Sequence, residues 1–167
     1  MALGDDTIIF RAKTLAQAHP LSAAASAIID RVVRRQVDAL PMPEMGRWAA
    51  TAMLTGYCVR VVEEEAAGLG DPPATEDLDA LDEASDTLLV DVRTDEADRV
   101  ILGAPEEIIG ALDAVVEGEV AKRADPWRTQ VGADAWASFE EFIAHHVVKG
   151  YALRAAETAS SRPRSAT

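Results

Sequence analysis

Lysine, aromatic residues and cysteine are all scarce in this chain, and each shortage excludes something. Lysine occurs at three positions (Lys13, Lys122 and Lys149), and 16 basic residues stand against 29 acids, leaving a formal net charge of −13. Phosphate backbones are held by clustered Lys and Arg, and an acidic surface is repelled from them over about a Debye length, ~8–10 Å. No nucleic-acid partner is expected, and no anionic membrane surface. Aromatics make up 5% of the residues, so a core has to be built from Ala, Val, Leu and Ile. The single cysteine, Cys58, leaves no intramolecular disulfide and no cysteine-based zinc site. Placed mid-helix among Val and Tyr, it reads as a small core residue. No apolar run approaches the ~20 residues that span a bilayer. The opening Met-Ala-Leu-Gly-Asp-Asp has acids where a secretory leader carries basic residues, so a cytoplasmic location is expected.

What the chain does have is length and alanine. Its 167 residues, 49% of them apolar, suffice for one domain with a substantial core. Ala is the best helix former and lets helices approach closely, which favours an all-α fold. The periodicity predicts about six helices. The first covers residues 5–18, with Asp5 or Asp6 as N-cap. The second runs from Ser22 to Leu40 with Ala25, Ile28, Ile29 and Val32 inward, and with Arg31, Arg34 and Arg35 in water. The third runs from Glu44 to about Ala67 and stops at Gly68-Leu69-Gly70. The others cover about 75–92, 106–123 and 134–159. Short strands near 7–11 and 87–92 are the alternative, giving an α+β fold, because a short apolar run alone does not decide. Residues 69–75, with Pro72 and Pro73, read as a mobile acidic linker. Residues 160–167, rich in Ser and Arg, read as a disordered tail after a single domain over 1–159.

One pattern occurs twice. Gly-Tyr-x-x-Arg-x-x-Glu stands at 56–63 and again at 150–157, each time eight residues after an aromatic, Trp48 or Phe142. Other landmarks keep the same order in both halves, Pro20 with Pro105 and Val32-Val33 with Val115-Val116. They predict two pseudo-repeated three-helix halves, about 5–68 and 76–159. On a helix, Gly56, Arg60 and Glu63 share one face, as do Gly150, Arg154 and Glu157. Gly in mid-helix costs about 1 kcal/mol relative to Ala, a cost that close approach of another helix would justify. The two motif helices are therefore expected to pack through Gly56 and Gly150. Arg60 would pair with Glu157 and Arg154 with Glu63, since an unpaired buried charge is very costly. The rival expectation is that Tyr57, Arg60, Tyr151 and Arg154, with His146, line a ligand pocket between the halves.

Chemistry has few other candidates. Glu141 and His145 are spaced i, i+4 and are the weak metal-ligand pair. The Glu-x-x-His spacing of di-iron bundles is absent, with Phe142 and Ile143 where its Glu would stand. Glu141, His145 and Lys149 read as a solvated stripe, and His146 as a hydrogen-bonded core histidine. Glu63-Glu64-Glu65 followed by Glu76-x-x-Asp79 resembles, over about 17 residues, the all-α nucleoside-triphosphate pyrophosphohydrolases of the MazG type. That resemblance would imply Mg²⁺ held on Glu-Glu-x-x-Glu and a downstream Glu-x-x-Asp. The third carboxylate is missing, because Ala67 and Gly68 stand at its position, which takes an oxygen ligand from a hard cation. No nucleophile elbow, phosphate-cradling glycine loop or His-Glu-x-x-His is present. The expectation is a non-catalytic acidic helical module without a cofactor, acting through a protein partner or as a homodimer. A helical ligand-binding or metal-dependent enzyme is the alternative.

Overall fold

The computed structural model describes residues 4–18, 20–36, 44–92, 105–123 and 132–161. Among them the chain forms six helices and no strand: α1 (Asp5–Gln17), α2 (Ala23–Gln36), α3 (Glu44–Ala66), α4 (Leu78–Val92), α5 (Glu106–Ala121) and α6 (Ala133–Ser161). Both stretches with a strand alternative, 7–11 and 87–92, are helix. Residues 37–40, the end of the expected second helix, and the tail beyond residue 161 lie outside the described residues.

The helix ends follow local chemistry, with one exception. Neither Asp5 nor Asp6 caps α1, because the helix already includes them; Gly4 is the N-cap and makes no side-chain cap bond. Ser22 does cap α2, its Oγ accepting the Ala25 N–H at 3.0 Å. Asp77 caps α4 through the Ala80 N–H at 3.0 Å. α3 stops in a Schellman turn. The Leu69 N–H reaches the Glu64 carbonyl and the Gly68 N–H that of Glu65, with Gly68 at φ +75°.

Two long helices, α3 and α6, form the central layer and run in the same direction. Their N-terminal parts meet at Trp48 and Phe139, and their C-terminal parts at Glu64 and Thr158. α1 and α5 cover one side of this pair, α2 and α4 the other. The first side buries Ile8, Ala12, Ile108, Ala111, Leu112 and Val115 against Val59, Val62, Ile143 and Val147. The second buries Ala25, Ile28, Ile29 and Leu81 against Met53, Tyr57, Val61 and Leu153. Some contacts keep their place when α1, α2 and α3 are exchanged for α4, α5 and α6, but α5 also lies on α3 with no comparable contact of α2 on α6 among the described residues. α1 lies on α3 as α4 lies on α6, α2 on α3 as α5 on α6, and α1 beside α5 as α4 beside α2. Each outer layer thus takes one helix from each half of the sequence.

Candidate functional site

The repeated pattern sits where α3 crosses α6. A Cβ on Gly56 would lie 1.9 Å from the Val147 carbonyl oxygen, and one on Gly150 would lie 1.9 Å from that of Met53. Each glycine therefore receives a backbone carbonyl of the other helix, and any side chain at either position would hold the helices apart. This reciprocal notch brings Tyr57 and Tyr151, both buried, across the crossing to the other copy's arginine. The Arg60 guanidinium lies 5.5 Å from the Tyr151 ring centre, and that of Arg154 lies 5.4 Å from the Tyr57 ring centre. Arg60 Nη1 donates to the Tyr151 hydroxyl at 3.2 Å, and Arg154 Nη1 to the Tyr57 hydroxyl at 3.1 Å.

The carboxylates complete the network differently from the expected exchange. Arg60 pairs with Glu63 of its own helix at 2.5 Å, not with Glu157. Tyr151 donates to the same Glu63 at 2.7 Å. Arg154 pairs across the seam with Glu64 at 3.0 Å, not with Glu63, and its Nη2 reaches Asp71 at 3.1 Å. Asp71 lies in the segment expected to be a free linker, so that segment is tethered to α6. Glu64 is buried and also accepts the Thr158 hydroxyl. Glu157 turns to the start of α2, where Ser22 Oγ donates to it at 2.7 Å, and it lies near enough to Tyr57 to raise that hydroxyl's pKa. The physical reason is depth. Glu64, one position beyond Glu63, points into the seam at 2% exposure, whereas Glu63 stays at its rim with 20% of its side chain in water.

Burial and charge tune these groups together. The Tyr57 hydroxyl is pushed up to about 12, first by burial and then by Glu157, with Arg154 working the other way. Tyr151 is raised above the usual tyrosine range by burial and by Glu63. Burial opposes the charge of Arg60 and of Arg154. The neighbouring tyrosines and carboxylates outweigh it, so both guanidiniums are held more firmly charged than in water. Burial likewise pushes the Cys58 thiol up to about 12, far from thiolate chemistry at neutral pH.

The remaining candidates do not gather around this network. His146 is buried, and its Nδ1–H donates to the Phe142 carbonyl at 2.6 Å. Burial lowers its pKa, assisted by Lys149, so the ring is neutral and its Nε2 stays unbonded. Glu141 is exposed and His145 half-buried. Among the described residues no three His, Cys, Asp or Glu side chains are grouped to hold a metal ion. Glu63 and Glu64, the first acids of the pyrophosphohydrolase-like stretch, are engaged by Arg60, Tyr151, Arg154 and Thr158.

Lys149 was expected in water with Glu141 and His145; it is buried instead. Its ammonium donates to Ser85 at 2.7 Å, Asp86 at 2.6 Å and Asp82 at 3.2 Å, using all three hydrogens on α4. Arg31 and Arg35 are not free solvated groups either. Arg31 bonds Asp79 at 2.8 Å and Arg35 bonds the buried Asp82 at 3.2 Å. Two shallow clefts of about 490 and 540 Å³ share these two arginines as a wall between α2 and α4. Sequence reasoning missed Glu64, Thr158, Lys149 and Asp82. For the first two a signal existed: Glu64 and Thr158 stand at the same place eight residues after Gly56 and Gly150, so the repeat extends one residue further than its identical letters.

No helix of the described residues is long and apolar enough to cross a membrane. Compared with protein-family models, with curated proteins and with solved structures, the chain matches none.

Proposed function

We propose that this chain is a non-catalytic acidic helical module, built from two related halves, that acts by binding another protein or a second copy of itself. One observation carries it: the side chains best suited to chemistry are turned inward and bonded to one another. Arg60, Arg154, Tyr57, Tyr151, Glu63 and Glu64 tie α3 to α6, and His146 is spent on its own helix. Groups so committed hold a scaffold in place and offer little to a substrate. The outer face is left to the acids. Glu76, Asp77 and Glu83 are exposed along the α3–α4 connection and α4, beside Asp71, Asp79 and Asp86, which are exposed but paired with Arg154, Arg31 and Lys149. A surface of that sign steers toward a basic partner and repels an acidic one.

The test combines a ligand screen with a measurement of association. Thermal shift against nucleotides and divalent cations is expected to show no stabilisation. Sedimentation with chemical cross-linking in extracts of the source cells is expected to show a complex that weakens with salt. Stabilisation by a nucleotide with Mg²⁺ would replace this reading with the enzymatic one. A strict monomer without a cross-linked partner would remove it outright.

A further inference from the structure

Both buried apolar clusters draw their residues from the two ends of the chain. The first combines Ile8, Val59 and Val62 with Ile108, Leu112 and Ile143, and the second combines Ile28, Met53 and Tyr57 with Leu81 and Leu153. The buried polar groups are shared in the same way. Glu64 takes donors from Arg154 and Thr158, Glu157 takes Ser22, and Asp82 takes Arg35 besides Lys149 of its own half. Glu64 and Glu157 are each only 2% exposed. α1 beside α5, α2 beside α4, and α3 against both α5 and α6 are all contacts between the half that ends at Gly68 and the half that begins at Leu78. Neither half encloses its core alone. The connection between them is of the opposite kind. It is non-helical, and no residue from Leu69 to Asp77 is buried. Asp71, with 92% of its side chain in water, reaches back from it to Arg154.

From this division we propose that the two halves are mutual ligands. The α1–α3 half recognises the α4–α6 half through the seam, and the covalent connection is dispensable to that recognition. Two features make the surfaces specific. The carbonyls of Met53 and Val147 enter the notches at Gly150 and Gly56, which fixes the register of α3 on α6. The buried Glu64 then selects the partner, because a helix without donors opposite it would leave a charge unpaired. The α3 surface therefore fits a helix with the spacing of Gly150, Tyr151, Arg154 and Thr158, and rejects a merely apolar one. A short connection supplies an effective concentration on the order of mM, and folded domains are favoured over unfolded ones by about 10³–10⁸. The quotient is a dissociation constant of ~1 µM or tighter for the halves once cut apart. The inference stands on the packing alone and does not depend on the proposed binding role.

The test cuts the full chain after it has folded. A recognition sequence for a site-specific protease is inserted between Ala74 and Thr75, and cleavage is followed by size exclusion and far-UV circular dichroism. At about 20 µM, above the expected constant, the two pieces should elute together where the uncut chain does and keep its helical signal. Dilution should lower the urea midpoint of the cut protein more than that of the uncut chain. Thr158→Val removes a bond that crosses the seam and should weaken the cut pair by about tenfold. Arg11→Ala removes an exposed pair with Glu65 inside one half and should leave the pairing within about twofold. The proposal is overturned if the pieces separate at that concentration, or if the insertion itself unfolds the uncut chain. It is overturned equally if Thr158→Val leaves the pairing unchanged or Arg11→Ala weakens it as much.

Discussion

Replacing Gly56 or Gly150 by alanine adds one methyl group where two helix backbones already touch. The new carbon would stand 1.9 Å from a carbonyl oxygen, and 2.8 and 2.6 Å from the carbonyl carbons behind it. The closest comfortable carbon–oxygen contact is ~3.3 Å, so the approach is more than 1 Å too short. The obstacle is backbone within a helix, which has no rotamer to turn aside. α3 and α6 would have to separate along their whole contact, loosening Tyr57, Tyr151 and the ion pairs beside them. Overpacking usually costs about 1–3 kcal/mol and more where nothing can yield, and the better helix propensity of alanine returns only about 1 kcal/mol. A net loss of about 3 kcal/mol is expected, or a fall in Tm of roughly 6–12 °C for a chain of this size. Gly118 supplies the control. It is also within a helix, α5, but its Cβ would meet only Lys13 Nζ at 3.8 Å. Gly118→Ala should gain up to about 1 kcal/mol, raising Tm by ~2–4 °C. Thermal and urea unfolding of the three variants decide the matter. If Gly56→Ala or Gly150→Ala matches or exceeds the parent in stability, the helices do not meet through these glycines.

Arg154→Ala leaves the buried Glu64 with only the more distant Arg60 Nε, at 4.0 Å, and should cost about 3 kcal/mol. Arg60→Ala, whose Glu63 partner sits at the rim, should cost clearly less; urea midpoints in the reverse order would contradict the assigned depths. Cys58 and Tyr57 titrate near 12 in the folded chain, against about 9 and 10 when exposed, so the native state keeps protons that the unfolded state loses. Their contribution is complete below pH 9 and declines as pH rises through 9–12, which urea unfolding at pH 8 and pH 11 would register as a lower midpoint. Cys58 should also resist alkylation at pH 8.5 until the protein unfolds. His146 has the opposite sign: its lowered pKa stabilises the fold above pH 6.5, and that share is lost as pH falls below it. Removing the ring by His146→Phe should flatten stability between pH 7 and 5; an unchanged slope would place the titration elsewhere.

How much of this was legible depended on the kind of signal. Apolar spacing at three and four residues located the helices, because burial on one face leaves a periodic trace whatever the partner is. The glycine notch was legible too, since a mid-helix Gly on an apolar face needs a reason, and a backbone carbonyl from the neighbour supplies it. The ion pairs were not. Glu63, Glu64 and Glu65 are adjacent in sequence and chemically alike, and only the crossing of α3 with α6 decides which one points inward. Lys149 misled for the same cause: beside Glu141 and His145 it continues a polar stripe, and its burial becomes visible only once α4 lies over it with Asp82, Ser85 and Asp86. Partner choice is a tertiary property, and identical local spacing allows several solutions.

The bonds that join the seam link residues 88 to 97 positions apart in the chain. α3 is therefore complete long before the helix it needs has been synthesised. In that interval Arg60, Glu63 and Glu64 lack the partners on α6, Tyr151, Arg154 and Thr158, that hold them in the folded chain. Any truncation that removes Arg154 and Thr158 would take both hydrogen-bond donors from the buried Glu64.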